Sequence, residues 1–158
     1  MITAIYGSLF YLAALILVVG VGLKVRQYAM TPAPLKIAVT PAPTTTGGVV
    51  FRMFREVVFF ESLFKSNKWI WLFGYIFHAS LLLVVLRHLR YFTEPVWFWV
   101  SLIQPFGLYA GFAAIIGLGG LWFRRVAVER VRYISDPSDH LMLALLAAIF
   151  ISGLFMRY

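Results

Sequence analysis

His78 and His88 stand ten residues apart in the apolar stretch WLFGYIFHASLLLVVLRHLRYF, and they are the only histidines before residue 140. An imidazole in hydrocarbon is costly unless something uses it, so a histidine inside a membrane-length segment is a functional candidate. The chemistry a neutral imidazole does best there is metal ligation. The chain has no cysteine and the stretch has no carboxylate, so haem iron fits the pair better than zinc does. On an ideal helix ten residues advance about 15 Å and turn roughly 1000°, leaving the side chains about 80° apart. The two therefore cannot share one ion. Each can instead give one axial bond to its own haem, with the remaining axial positions filled from another helix. The structural alternative is that each is a packing histidine bonded to a carbonyl or hydroxyl inside a bundle.

The elements that must position such a pair are helices in a bilayer. Of the 158 residues, 62% are apolar and only 13% charged, which is the composition of an integral membrane protein and implies an all-α helical bundle forming a single membrane domain. Zero cysteines exclude disulfides, thiol catalysis and iron–sulfur ligation by this chain. The net charge of +8 could suggest nucleic acid, but in a membrane chain it is expected from basic cytoplasmic loops.

Four spans are expected, at about 2–23, 69–91, 100–123 and 139–156. The first is uncharged, with Lys24 and Arg26 after it and no cleavage motif, so it reads as a retained span with its N-terminus outside and not as a signal peptide. A Pro- and Thr-rich loop follows from Gln27 to Gly48, and then an interfacial amphipathic helix over about 49–66, with Arg52, Arg55, Glu56 and Ser62 on one side. This segment is either a lead-in to the second span or a dock for a cytoplasmic partner. The small residues Ala110, Gly111, Ala113, Ala114, Gly117, Gly119 and Gly120 in the third span suit close helix packing, or the approach of a flat cofactor. Asp136 reads as an N-cap, with Pro137 at the first helical position and Asp139 in the first turn. In this topology eleven of the fourteen basic residues lie inside and only Arg87, Arg90 and Arg157 outside, which makes a nucleic-acid partner unnecessary. His140, in that first turn, is expected to be interfacial rather than a ligand, about a membrane thickness from His88.

The segment FHASLLLVVLRH on a second span, followed by GG, an RR-rich loop with RVR, and SDPSDHLMLALL opening a fourth span, resembles the gamma subunit of respiratory nitrate reductase. The likeness is closer still to the related DsrM-type membrane subunits of the DsrMKJOP complex of sulfur metabolism, and it covers nearly the whole chain. The resemblance implies five helices holding two b-type haems, with His78 ligating the inner and His88 the outer. It also implies menaquinone or another quinone reacting near the outer haem, where Arg87 becomes a quinone neighbour by position. A cytoplasmic heterodisulfide-reductase-like iron–sulfur subunit is the implied electron partner, alongside other membrane and periplasmic subunits of a quinone-interacting oxidoreductase in a prokaryotic inner membrane. In that family the partner histidines lie on a fifth helix, so the resemblance also implies that these 158 residues are part of a longer subunit. His140 matches neither partner histidine. The rival functions are a cofactor-free membrane anchor and a small transporter, the latter disfavoured by spans without acidic residues.

Overall fold

The computed structural model describes residues 2–32 and 43–156; Arg157, Tyr158 and the loop residues 33–42, Lys36 among them, lie outside the described residues. The chain forms two units, the first holding helix α1 and the second beginning at Pro43. In the first unit α1 (Ile2–Met30) runs a full two turns past the expected end at Leu23. Residues 24–30 contain no breaker, and each added residue gains an intrahelical bond once the helix exists. The Lys24 ammonium donates to the Gln27 amide oxygen at 3.1 Å, and the Thr31 hydroxyl donates to the Gln27 carbonyl at 2.8 Å. Thr31 precedes Pro32, which disfavours a further helical residue.

In the second unit the expected interfacial helix over 49–66 is two helices, α2 (Thr46–Phe59) and α3 (Glu61–Ser66), joined at Phe60 in the left-handed region at φ 51, ψ 46. α2 starts three residues early because the Thr45 hydroxyl accepts the Gly48 N–H at 3.2 Å. The break has a local cause. The Phe60 N–H closes α2 on the Glu56 carbonyl at 3.1 Å, while the Glu56 carboxylate accepts both the Ser62 N–H at 3.0 Å and the Ser62 hydroxyl. Glu61 accepts from Arg55 and Lys65, each at 2.5 Å. A left-handed non-glycine residue costs roughly 1–2 kcal/mol, offset here by these bonds and by the Trp71 indole, which donates to the Phe59 carbonyl at 2.7 Å.

The two bonds from Ser62 hold the Glu56 carboxyl below the ordinary carboxylate range, against a smaller opposing effect of desolvation. A depressed carboxyl stabilises the fold above its unfolded value and stops doing so as pH falls through its folded value. The corner should therefore loosen at acid pH before the spans do. The protection factor of the Ser62 amide, its exchange rate relative to the unstructured rate at the same pH, checks this: acidification should lower protection in the parent, while Glu56→Gln should show that low protection already at neutral pH.

The second span is α4 (Lys68–His88), opened by the Asn67 side-chain oxygen, which accepts from the Trp69 and Ile70 N–H groups at 3.0 and 3.1 Å. It ends in a single 3-10 turn, Leu89–Tyr91, where a continuous helix to 91 was expected. α5 (Phe98–Ala127) is longer than the expected 100–123 and carries Pro105 inside it. Proline removes the N–H owed to the Ser101 carbonyl, a loss that apolar membrane helices accommodate. A five-residue helix, α6 (Glu129–Tyr133), precedes α7 (Pro137–Phe155), whose N-cap is Asp136 with Pro137 first, as the sequence predicts. The Asp139 carboxylate ties this end down, accepting from Arg125 at 2.8 Å and from the Asp136 N–H at 3.2 Å. Among the described residues four helices, α1, α4, α5 and α7, are long and apolar enough to cross a bilayer.

α4 and α5 run antiparallel in direct backbone contact. A Cβ on Gly117 would stand 2.8 Å from the Phe77 nitrogen and 2.9 Å from the Phe73 carbonyl oxygen, and one on Gly120 would run into the Phe73 ring. α7 returns along α5, with Leu154 3.0 Å from where a Gly111 Cβ would be. Phe77, Ala114, Leu118 and Phe150 form the buried core between the three helices, with the Phe77 and Phe150 rings edge to face at 6.2 Å. Close packing is thus the use found for Gly111, Gly117 and Gly120. Gly119 faces open space instead, and Gly107, absent from the expected set, has the Arg87 stem against it.

Candidate functional site

Both histidines lie on the one uninterrupted helix α4, so the ten-residue spacing sets them about 15 Å apart along its axis. Each makes the same bond. His78 Nδ1 lies 2.8 Å from the Gly74 carbonyl oxygen and His88 Nδ1 lies 2.6 Å from the Val84 carbonyl oxygen. A carbonyl only accepts, so Nδ1 must be the protonated nitrogen in both rings, and in the neutral imidazole this leaves the lone pair on Nε2. Neither Nε2 has a hydrogen-bond partner among the described residues, and both rings are exposed. This is the arrangement a ligating histidine needs, because the bond at one nitrogen fixes the tautomer and ring plane and raises the basicity of the other.

The sides of the two rings differ. His78 is flanked edge-on by Phe60 at 5.3 Å and Phe77 at 5.2 Å, so the left-handed corner between α2 and α3 delivers an aromatic wall to this imidazole. Phe60 also meets Tyr75 at 6.0 Å. His88, at the far end of the helix, has Tyr91 at 5.8 Å. Nothing in the text FFES announces Phe60 as a neighbour of His78, because the contact depends on a helix break that propensity does not foretell.

His140 is half-buried between α5 and α7, where an interfacial position was expected, and the Trp122 indole donates to its Nδ1 at 3.0 Å. That bond puts the hydrogen of neutral His140 on Nε2, the opposite tautomer from His78 and His88. Its lone pair is already engaged, so it presents no free nitrogen to a metal. Trp122 was the missed residue here, eighteen positions away in sequence. The antiparallel registers place His140 near the α4 end that begins at Lys68, about 25 Å along the bundle from His88. Among the described residues no group of three or more histidine, cysteine or carboxylate side chains converges on a common point. Each of the two α4 imidazoles can thus offer a metal one bond from this chain.

A family model described as the nitrate reductase gamma subunit matches residues 46–158. The chain belongs to this family. The matched part of this gamma-subunit-family chain holds α2 to α7 and with them both α4 histidines. Among curated proteins it is 36% identical to the Hdr-like menaquinol oxidoreductase cytochrome b-like subunit of Archaeoglobus fulgidus, over 100% of this chain and 60% of that protein. It is 33% identical to the protein of the same description from Archaeoglobus profundus, over 98% of this chain and 58% of the relative. The chain thus spans about 60% of the length of these relatives. No solved structure matches it.

Proposed function

We propose that this chain is the haem b-binding part of a membrane subunit that moves electrons between a membrane quinone and a cytoplasmic iron–sulfur protein. The observation that carries the reading is the pair of identically locked imidazoles on α4, each with Nε2 bare and about 15 Å from the other along the helix. Haem b, when bound, supplies one-electron chemistry. The chain supplies ligation: His78 for the inner haem and His88 for the outer, with Phe60 and Phe77 bounding the inner ring.

The relatives are named for menaquinol oxidation and an Hdr-like complex, which supports menaquinol as the quinone and a heterodisulfide-reductase-like iron–sulfur subunit as partner, with further membrane and periplasmic subunits alongside. Lys65, Lys68, Arg124, Arg125, Arg130 and Arg132 lie at one end of the antiparallel α4–α5–α7 unit, and Arg87 and Arg90 at the other. By the positive-inside rule the crowded end faces the cytoplasm of a prokaryotic inner membrane. His78 is then the inner residue, the N-terminus lies outside, and Arg87 is the quinone neighbour at the outer end. A reduced-minus-oxidised spectrum of the protein purified from membranes should show b-type bands; a flat difference spectrum would end this reading.

A further inference from the structure

The outer end of α4 carries two cations where a membrane protein of this topology has least reason to put them. Arg87 lies half-buried across α5, its methylene stem filling the space at Gly107: a Cβ there would come within 2.6 Å of Arg87 Cδ and 3.1 Å of its Cβ. Arg90, one turn on, donates to the Gln104 amide oxygen at 3.3 Å and stands over the Tyr91 ring at 5.3 Å. Gln104 and Gly107 are themselves one turn apart on α5, so both arginines lie along the same strip of that helix. Like charges three residues apart on a helix repel, and neither has a carboxylate. Glu94, the nearest acid in sequence, forms no ion pair with either among the described residues. One amide oxygen answers only one of the five donors on a guanidinium. Thr93, three residues further, has a buried hydroxyl oxygen without a partner among the described residues. At the other end of the unit three cations have carboxylate partners among the described residues, Arg55 and Lys65 on Glu61 and Arg125 on Asp139, while Lys68, Arg124, Arg130 and Arg132 form no ion pair there.

Partly buried cations without anions are expensive, and this pair flanks His88 at one residue before and two after. We propose that Arg87 and Arg90 bind the two propionate carboxylates of the haem held by His88. This rests on the haem reading above and gives Arg87 a more definite partner than adjacency to a quinone. Haem b carries both propionates on one edge, so two guanidinium groups on one strip meet two carboxylates on one edge. Arginine suits the task because its planar fork pairs a carboxylate through two parallel bonds. Gly107 admits the Arg87 stem; a side chain there would push it off the strip.

The test is an equilibrium redox titration of the b-type absorbance in the complex as purified from membranes, with the outer haem identified as the one missing in His88→Ala. Reduction adds a negative charge, which a nearby cation stabilises. Arg87→Gln and Arg90→Gln should each lower the midpoint potential of the outer haem, and the double variant should lower it further, while the inner haem stays put. Arg→Lys at both positions should recover most of the shift. Loss of the outer haem alone in the double Gln variant, restored by the Lys pair, supports the same assignment. An outer potential equal to that of the parent overturns it; if anionic lipid is lost from that preparation, the pair serves a lipid phosphate instead. Equal shifts in both haems, or loss of both in the Lys variant, also overturn it, since the arginines would then be holding the helices together. Absence of any b-type band in the unsubstituted complex would instead bring down the haem reading itself.

Discussion

His78→Ala should abolish one of two haems and leave the other, and His88→Ala should abolish the complementary one. On the proposed reading each imidazole gives a single axial bond to its own iron, and the two sites lie about 15 Å apart on one helix. The loss at the mutated site should be essentially complete, because iron left with an alanine loses a ligand and not a supporting contact. Difference spectra with haem quantified against protein should give half the parent ratio in each single variant and none in the double. His140→Ala is the control. Its Nδ1 is engaged by Trp122, so its removal should leave both haems and cost only that hydrogen bond and its packing. Retention of both haems in His78→Ala or in His88→Ala would show that the wrong ligands have been chosen.

Gly117→Val should disrupt the α4–α5 pair and take both haems with it. The obstacle at this position is main chain: Phe77 N, Phe73 O and Phe77 Cα all lie within 3.0 Å of where a Cβ would be. A side-chain neighbour could rotate away, but a helix backbone can yield only by moving the helix. Overpacking typically costs about 1–3 kcal/mol, roughly a five- to 150-fold shift in the folded ratio, and this position belongs at the upper end. Gly119→Val meets nothing within 4 Å and should change stability by less than about 0.5 kcal/mol. Thermal unfolding of both variants in detergent, followed by tryptophan fluorescence and by the b-type bands together, checks the contrast. Equal stability of the two variants would mean that α4 and α5 do not cross at Gly117.

Composition and runs of apolar residues were enough to locate all four membrane-length helices, because a bilayer demands long uncharged segments whose backbone is satisfied internally. The cap at Asp136 was legible for a similar reason: its chemistry is local. Helix ends were less so. α1 passes Leu23 because the polar residues after it continue a helix without being hydrophobic, and α5 runs on to Ala127 through Arg124 and Arg125 for the same reason. The break at Phe60 was invisible, since it arises from Glu56 turning to Ser62 and from Trp71 reaching back twelve residues to Phe59. At the proposed site, His78 and His88 stand out in the text because polarity in hydrocarbon is conspicuous. The ring orientation of each, the aromatic wall at Phe60, the Trp122–His140 bond and the accommodation of Arg87 by Gly107 could not, because they come from pairings between elements. Gly119 shows the limit from the other side: a small residue in a small-residue stretch that packs against nothing.

The carbonyl bonds at Gly74 and Val84 have a consequence for how such a protein is made. Each imidazole is tethered to its own helix, one turn back, and the bond forms as soon as that turn does. On the proposed reading the span would therefore leave the translocation machinery with both donor atoms already aimed and in the right protonation state, before any porphyrin arrives. Cofactor loading then requires neither refolding of the span nor proton loss from the ring. Maturation would then proceed in stages, with helix first and pigment second.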